Sequence, residues 1–129
     1  MIKTLIVEDN PEFRYFLKDL LRNRFPDGVI AEVGDAEQAL QLIGSFQPDI
    51  VLVDIALPGM NGLTLTERIR ENGTLPLIVI ITNHVLPEYR AAAARLGADY
   101  FLPKASSSAK EILSVIERLS MGGSAAPAA

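Results

Sequence analysis

No cysteine occurs in the chain, which excludes a disulfide framework and a thiolate metal site. His84 is the single histidine, so a zinc site would have to lean on carboxylates. Long apolar runs are lacking as well. Stretches such as Leu75 to Ile81 are too short to span a bilayer, so no membrane association is expected. The N-terminus, Met1-Ile2-Lys3-Thr4, enters a strand pattern directly and is not a signal peptide. There is no basic block, and the net charge is −4, which disfavours nucleic-acid binding by this chain. An intracellular, cytoplasmic setting fits these absences.

What is present is a hydrophobic fraction of 49%, which argues against disorder and for a buried sheet. At 129 residues the chain suits one ordinary domain. Strand-like runs cover Thr4–Val7, Val29–Val33, Ile50–Val53, Leu77–Ile81 and Tyr100–Leu102. Most are continuous apolar runs, the pattern of a parallel sheet covered on both faces. Glu32 interrupts the second run and predicts an edge strand there.

Helix-period segments alternate with these runs. Phe13, Phe16, Leu17, Leu20 and Leu21 fall at i, i+3, i+4, i+7 and i+8. Further stripes are Ala36, Ala39, Leu40 and Ile43; Tyr89, Ala92, Ala93 and Leu96; and Ile112, Val115, Ile116 and Leu119. A less regular helix is expected near Leu63–Arg70. Asn10-Pro11 reads as an N-cap followed by proline at the first helical position, and Ser108 with Glu111 as a capping box. Gly73 and Gly97 read as helix stops. The alternation predicts an α/β fold: a doubly wound, five-stranded parallel sheet of flavodoxin-like type, strand order 2-1-3-4-5. It occupies residues 1–121, with 122–129 as a flexible tail or linker.

In open parallel sheets, ligands sit at the carboxyl ends of the strands. Polar residues gather there: Glu8 and Asp9 after the first strand, Asp54 after the third, Thr82 after the fourth, Lys104 after the fifth. Carboxylates sharing one crevice repel each other unless a cation joins them. Mg²⁺ is held through one or two carboxylates plus phosphate oxygens. Thr82 offers a hydroxyl, and Lys104 a point charge suited to phosphate. Asp54 is then the nucleophile of an aspartyl-phosphate site. Each residue also has a plain reading: a solvated turn for Glu8-Asp9, a loop carboxylate for Asp54, a backbone-bonded hydroxyl for Thr82, a surface lysine for Lys104. Their occurrence together at four strand ends favours the functional reading. His84 is expected at the start of the fourth helix, without a direct role.

With these residues placed, the chain resembles the receiver domains of two-component response regulators, over about residues 2 to 120. The resemblance rests on Glu8-Asp9 after Thr4-Leu5-Ile6-Val7, and on Asp54 after Pro48-Asp49-Ile50-Val51-Leu52-Val53. It continues through Leu57-Pro58-Gly59-Met60-Asn61-Gly62, Thr82 and Gly97-Ala98-Asp99-Tyr100-Phe101-Leu102-Pro103-Lys104. It implies that Asp54 accepts a phosphoryl group from a histidine kinase or phosphotransfer protein. Asp9, Asp54 and the carbonyl of Ala56 would bind Mg²⁺, with Glu8 acting through water. Thr82 and Lys104 would contact the phosphoryl group, and the Phe101 rotamer would follow Thr82. The chain would be no enzyme beyond its own phosphorylation and dephosphorylation. Partner binding or homodimerisation would use the face of the fourth helix, fifth strand and fifth helix, including Tyr89, Arg90, Lys110 and Glu111. Lys104-Ala105-Ser106-Ser107 is most similar to LuxR/NarL-type receivers, which implies transcription regulation as an output.

Three positions depart from the family pattern. Ala105 stands where proline often follows the lysine, and a cis peptide there would cost about 2.5–4 kcal/mol. Pro103 lies in a strand, which an edge tolerates. Asn83 is larger than the usual small residue and narrows access to the site. The alternative is a phosphorylation-independent interaction module with the receiver fold. A phosphatase would want a second Asp where Ala56 stands. A flavin site would want a phosphate loop where Glu8-Asp9-Asn10-Pro11 is acidic.

Overall fold

The computed structural model describes residues 1–122, so the expected tail from residue 123 onward lies outside the described residues. The order of elements is β1 (Lys3–Val7), α1 (Pro11–Arg24), β2 (Val29–Val33), α2 (Ala36–Phe46) and β3 (Ile50–Val53). There follow α3 (Gly62–Arg70), β4 (Leu77–Thr82), α4 (Pro87–Leu96), β5 (Tyr100–Pro103) and α5 (Ala109–Ser120). All strand pairs are parallel, in the order β2-β1-β3-β4-β5. The expected order 2-1-3-4-5 is therefore observed.

Strand alternation builds two cores. Leu5, Val7, Val51, Val53, Ile78, Ile80 and Phe101 face α2, α3 and α4. Ile6, Ile50, Leu52, Val79, Ile81 and Leu102 face α1 and α5. Successive side chains of a strand point to opposite faces, so a continuous apolar run serves both layers. Glu32 lies on the edge strand β2, as its polarity predicts. Its carboxylate pairs with Arg14 at 3.1 Å and Lys18 at 2.7 Å from α1.

Local signals set the helix starts. The Asn10 side chain accepts from the N–H groups of Glu12 and Phe13, and Pro11 opens α1. Asn61 does the same for α3 through Leu63 and Thr64. Ser108 and Glu111 complete a capping box on α5. Gly97 closes α4 at φ 106°, while Gly73, at φ 130°, lies beyond the α3 cap Glu71.

β1 begins one residue earlier than expected, at Lys3, and β4 and β5 each end one residue later, with Pro103 paired opposite Thr82. Proline has no N–H to give the ladder, and the next residue supplies it: Lys104 N–H donates to the Thr82 carbonyl at 2.8 Å. That bond draws Lys104 to the end of β4. His84 lies in the β4–α4 loop rather than on the helix. Pro87 is the first helical residue, and the residue before a proline is pushed to extended backbone, here Leu86 at ψ 148°.

Candidate functional site

The carboxyl ends of β1, β3, β4 and β5 converge on one crevice. Thr4↔Ile50, Ile50↔Leu77 and Val79↔Tyr100 registers align these ends across the sheet. Asp54 follows β3 and is buried, with Oδ1 accepting the Ala56 N–H at 3.3 Å. Lys104 Nζ donates to Asp54 Oδ2 at 2.8 Å and pairs with Glu8 Oε1 at 2.7 Å. One ammonium thus bridges carboxylates from two strand ends.

Glu8 and Asp9 differ although adjacent. Glu8 is 2% exposed, and its Oε2 accepts the Asn10 N–H at 3.0 Å. Asp9 is exposed. Burial pushes the Glu8 carboxyl above the usual carboxylate range, against the pull of the Lys104 and Asn10 hydrogen bonds. For Lys104, burial works against the charged form, but hydrogen bonds and charge from Asp54 and Glu8 outweigh it and raise its pKa. Glu8, Asp9 and Asp54 each offer one oxygen, and these oxygens lie within 4.8 Å of one another. Such a set of hard oxygen donors, two of them on buried residues, fits a divalent cation.

Thr82 is fully buried at the end of β4, and its Oγ1 accepts the His84 N–H at 3.2 Å. Phe101, on the neighbouring β5, is 8% exposed and packs in the core. The Arg90 guanidinium covers its ring at 4.6 Å.

A family model for the response regulator receiver domain matches residues 4–117. The chain belongs to the response regulator receiver family. It is 34% identical over 102 residues to the nitrate/nitrite response regulator protein NarL of Escherichia coli, covering 78% of this chain and 46% of that protein. It is 37% identical over 108 residues to protein-glutamate methylesterase/protein-glutamine glutaminase 4 of Geobacter metallireducens, covering 81% of this chain and 30% of that protein. The receiver thus spans less than half the length of these curated relatives. Among solved structures, a LuxR-family two-component response regulator from Aurantimonas sp. superposes with TM-score 0.85 at 31% identity, covering 95% of this chain and 86% of that one.

Glu8, Asp9, Asp54 and Lys104, each expected just past a strand end, lie together there, Thr82 ends the neighbouring β4, and Ala56 meets Asp54 through its N–H. His84 stays outside this set, exposed and edge-on to Tyr89 with ring centroids 5.6 Å apart. The cis peptide among the described residues is Leu75-Pro76, and Lys104-Ala105 is trans. Sequence reasoning missed Phe13, whose ring lies 4.5 Å from Lys104 Nζ. Its helical spacing marked it only as a core residue of α1. No helix among the described residues is long and apolar enough to cross a membrane.

Proposed function

We propose that this receiver is a phosphorylation switch, with Asp54 the phosphoacceptor. The observation that carries the reading is Lys104 held between Asp54 and Glu8, with Asp9 beside them. The donor is a phosphohistidine of a histidine kinase or phosphotransfer protein. An Asp54 carboxylate oxygen forms a bond to phosphorus as the phosphorus–nitrogen bond breaks, and the electron pair leaves with the imidazole. Lys104 keeps a positive charge where the transferred oxygens arrive. Thr82 offers them its hydroxyl.

Asp9, Asp54 and the Ala56 carbonyl would hold Mg²⁺, with Glu8 acting through water. When bound, the cation neutralises negative charge on the phosphoryl oxygens. The chain has no further enzymatic role, and its setting is cytoplasmic. The α4–β5–α5 face carries partner binding or homodimerisation, and transcription regulation is the output that the NarL and LuxR relatives favour. DNA contact is not a role of this domain.

The test is mass spectrometry after incubation with acetyl phosphate and Mg²⁺. The parent should gain one acid-labile phosphoryl group, and Asp54→Asn should gain none. An adduct of equal yield on Asp54→Asn would overturn the assignment. No adduct on the parent, from acetyl phosphate or a phosphohistidine donor, would favour the phosphorylation-independent interaction module.

A further inference from the structure

The Glu8 carbonyl lies past the end of β1, beyond the reach of the sheet ladder. A polar backbone group there needs a donor. Arg14, in the first turns of α1, supplies it: Nη1 donates to Glu8 O at 2.7 Å. The same guanidinium donates through Nε to Glu32 Oε1 at 3.1 Å, and Lys18 holds the other Glu32 oxygen at 2.7 Å. On its other side, Glu8 N–H donates to Val33 O at 3.1 Å. Both peptide groups of Glu8 are therefore pinned.

We propose that Arg14 is a positioning residue for the acidic pair, itself held in place by Glu32 on the edge strand. The inference rests on the reading of Glu8, Asp9 and Asp54 as a Mg²⁺ site. Its physical basis is the planarity of the peptide joining Glu8 to Asp9. Fixing the direction of that carbonyl fixes the plane and so the position of the Asp9 Cα. Asp9 is exposed, so packing does little to aim it. Arg14 does so through the backbone, without touching the cation. A planar guanidinium with several donors can hold a carbonyl and a carboxylate at once, which an ammonium does less well.

The competing role is that of a bare positive charge, and the two roles have opposite signs. A nearby cation repels Mg²⁺, so removing the charge alone would tighten binding. Removing a positioning contact weakens it, and contacts that orient metal ligands are typically worth about 10–100-fold in affinity.

The experiment is calorimetric titration of Mg²⁺ into the parent, Arg14→Ala, Arg14→Lys, Glu32→Gln and the Arg14→Ala/Glu32→Gln double variant, with a thermal melt of each. Arg14→Ala should bind roughly tenfold more weakly. Arg14→Lys should recover part of the loss, and Glu32→Gln should show a smaller loss. The double variant should match Arg14→Ala, because Glu32 acts through Arg14. Binding by Arg14→Ala equal to or tighter than the parent overturns the proposal. So does an additive loss in the double variant. If Arg14→Ala does not fold, Arg14→Lys and Glu32→Gln decide, through affinity and the Asp9 amide shift. A parent that binds no Mg²⁺ defeats the cation reading instead. Positioning is then decided in metal-free protein, where an unmoved Asp9 amide in both variants overturns it.

Discussion

Lys104 is where the charge balance of the crevice is decided. Its ammonium sits against two buried carboxylates, Glu8 and Asp54, and beneath the Phe13 ring. Removing one partner of a buried ion pair is costly because it strands charge that water no longer solvates. Lys104→Ala should lower stability by about 3 kcal/mol in chelator-treated protein, the low end of the range for buried pairs. Urea denaturation measures this, and Mg²⁺ should restore more stability to the variant than it adds to the parent. Gly62 is a second decisive residue. A Cβ there would fall 2.0 Å from the Asp54 carbonyl oxygen, a backbone atom that cannot swing aside. Gly62→Ala should therefore cost at least the roughly 1–3 kcal/mol of an overpacked site. It should also slow phosphorylation, because the atom displaced belongs to Asp54. Melts and the rate of adduct formation check the two effects.

Between elements, side chains fasten what backbone pairing leaves loose. Among the described residues, β2 has β1 on one side and no strand on the other, and its residues are the least buried of the sheet. Glu32 ties it to α1 through Lys18 and Arg14. The Lys18 hydrogen bond is the first cause that holds the Glu32 carboxyl below its ordinary value of 4.5, against a smaller opposing effect of burial. A carboxyl depressed in the folded state adds stability above its unfolded pKa and loses it as pH falls through the folded value. The parent should therefore lose stability on acidification from about pH 5 downward, and Glu32→Gln should show a shallower loss over that window. Denaturant midpoints across pH give the comparison. Arg70 does similar work at the other side of the sheet. It donates to Gly97 O, Pro76 O and Asp99 Oδ2 at 2.8, 2.7 and 2.7 Å, joining α3 to the start of β4 and the α4–β5 turn.

At the scale of the molecule, the crevice and the proposed output face share β5, and the β4–α4 loop joins the crevice to α4. A phosphoryl group on Asp54 brings about two negative charges and strong acceptor oxygens to the Thr82 end of β4. Thr82 is fully buried and bonded to the His84 N–H, so a shift of its hydroxyl toward the phosphoryl oxygens disturbs the β4–α4 loop. Phe101 lies beneath Arg90 of α4, which links that loop's helix to β5. Beryllofluoride, a phosphoryl mimic, should shift parent NMR signals from Asp54 through Thr82 to Phe101, Tyr89 and Arg90. In Thr82→Ala the shifts should stay near Asp54. Identical long-range shifts in the two proteins would exclude this route.

Signals that act over a few residues were legible in the chain itself. Asn10-Pro11, Ser108 with Glu111, and Gly97 mark boundaries because caps and positive φ depend on neighbours in sequence. Apolar runs and helical stripes determined the parallel sheet, since side-chain period follows backbone geometry. The sheet then brought Glu8, Asp54, Thr82 and Lys104 to one end, and Glu32 marked its edge. Only the tertiary structure decided how neighbours share that end. Nothing local separates Glu8 from Asp9, yet one is buried against Lys104 and the other faces solvent. The reach of Arg14 to Glu8 O and Glu32, and the cover of Lys104 by Phe13, likewise depend on how α1 lies across the sheet. The physical reason is distance along the chain. Lys104 meets Asp54 across 50 residues, and no pattern of near neighbours encodes which atoms meet at that separation.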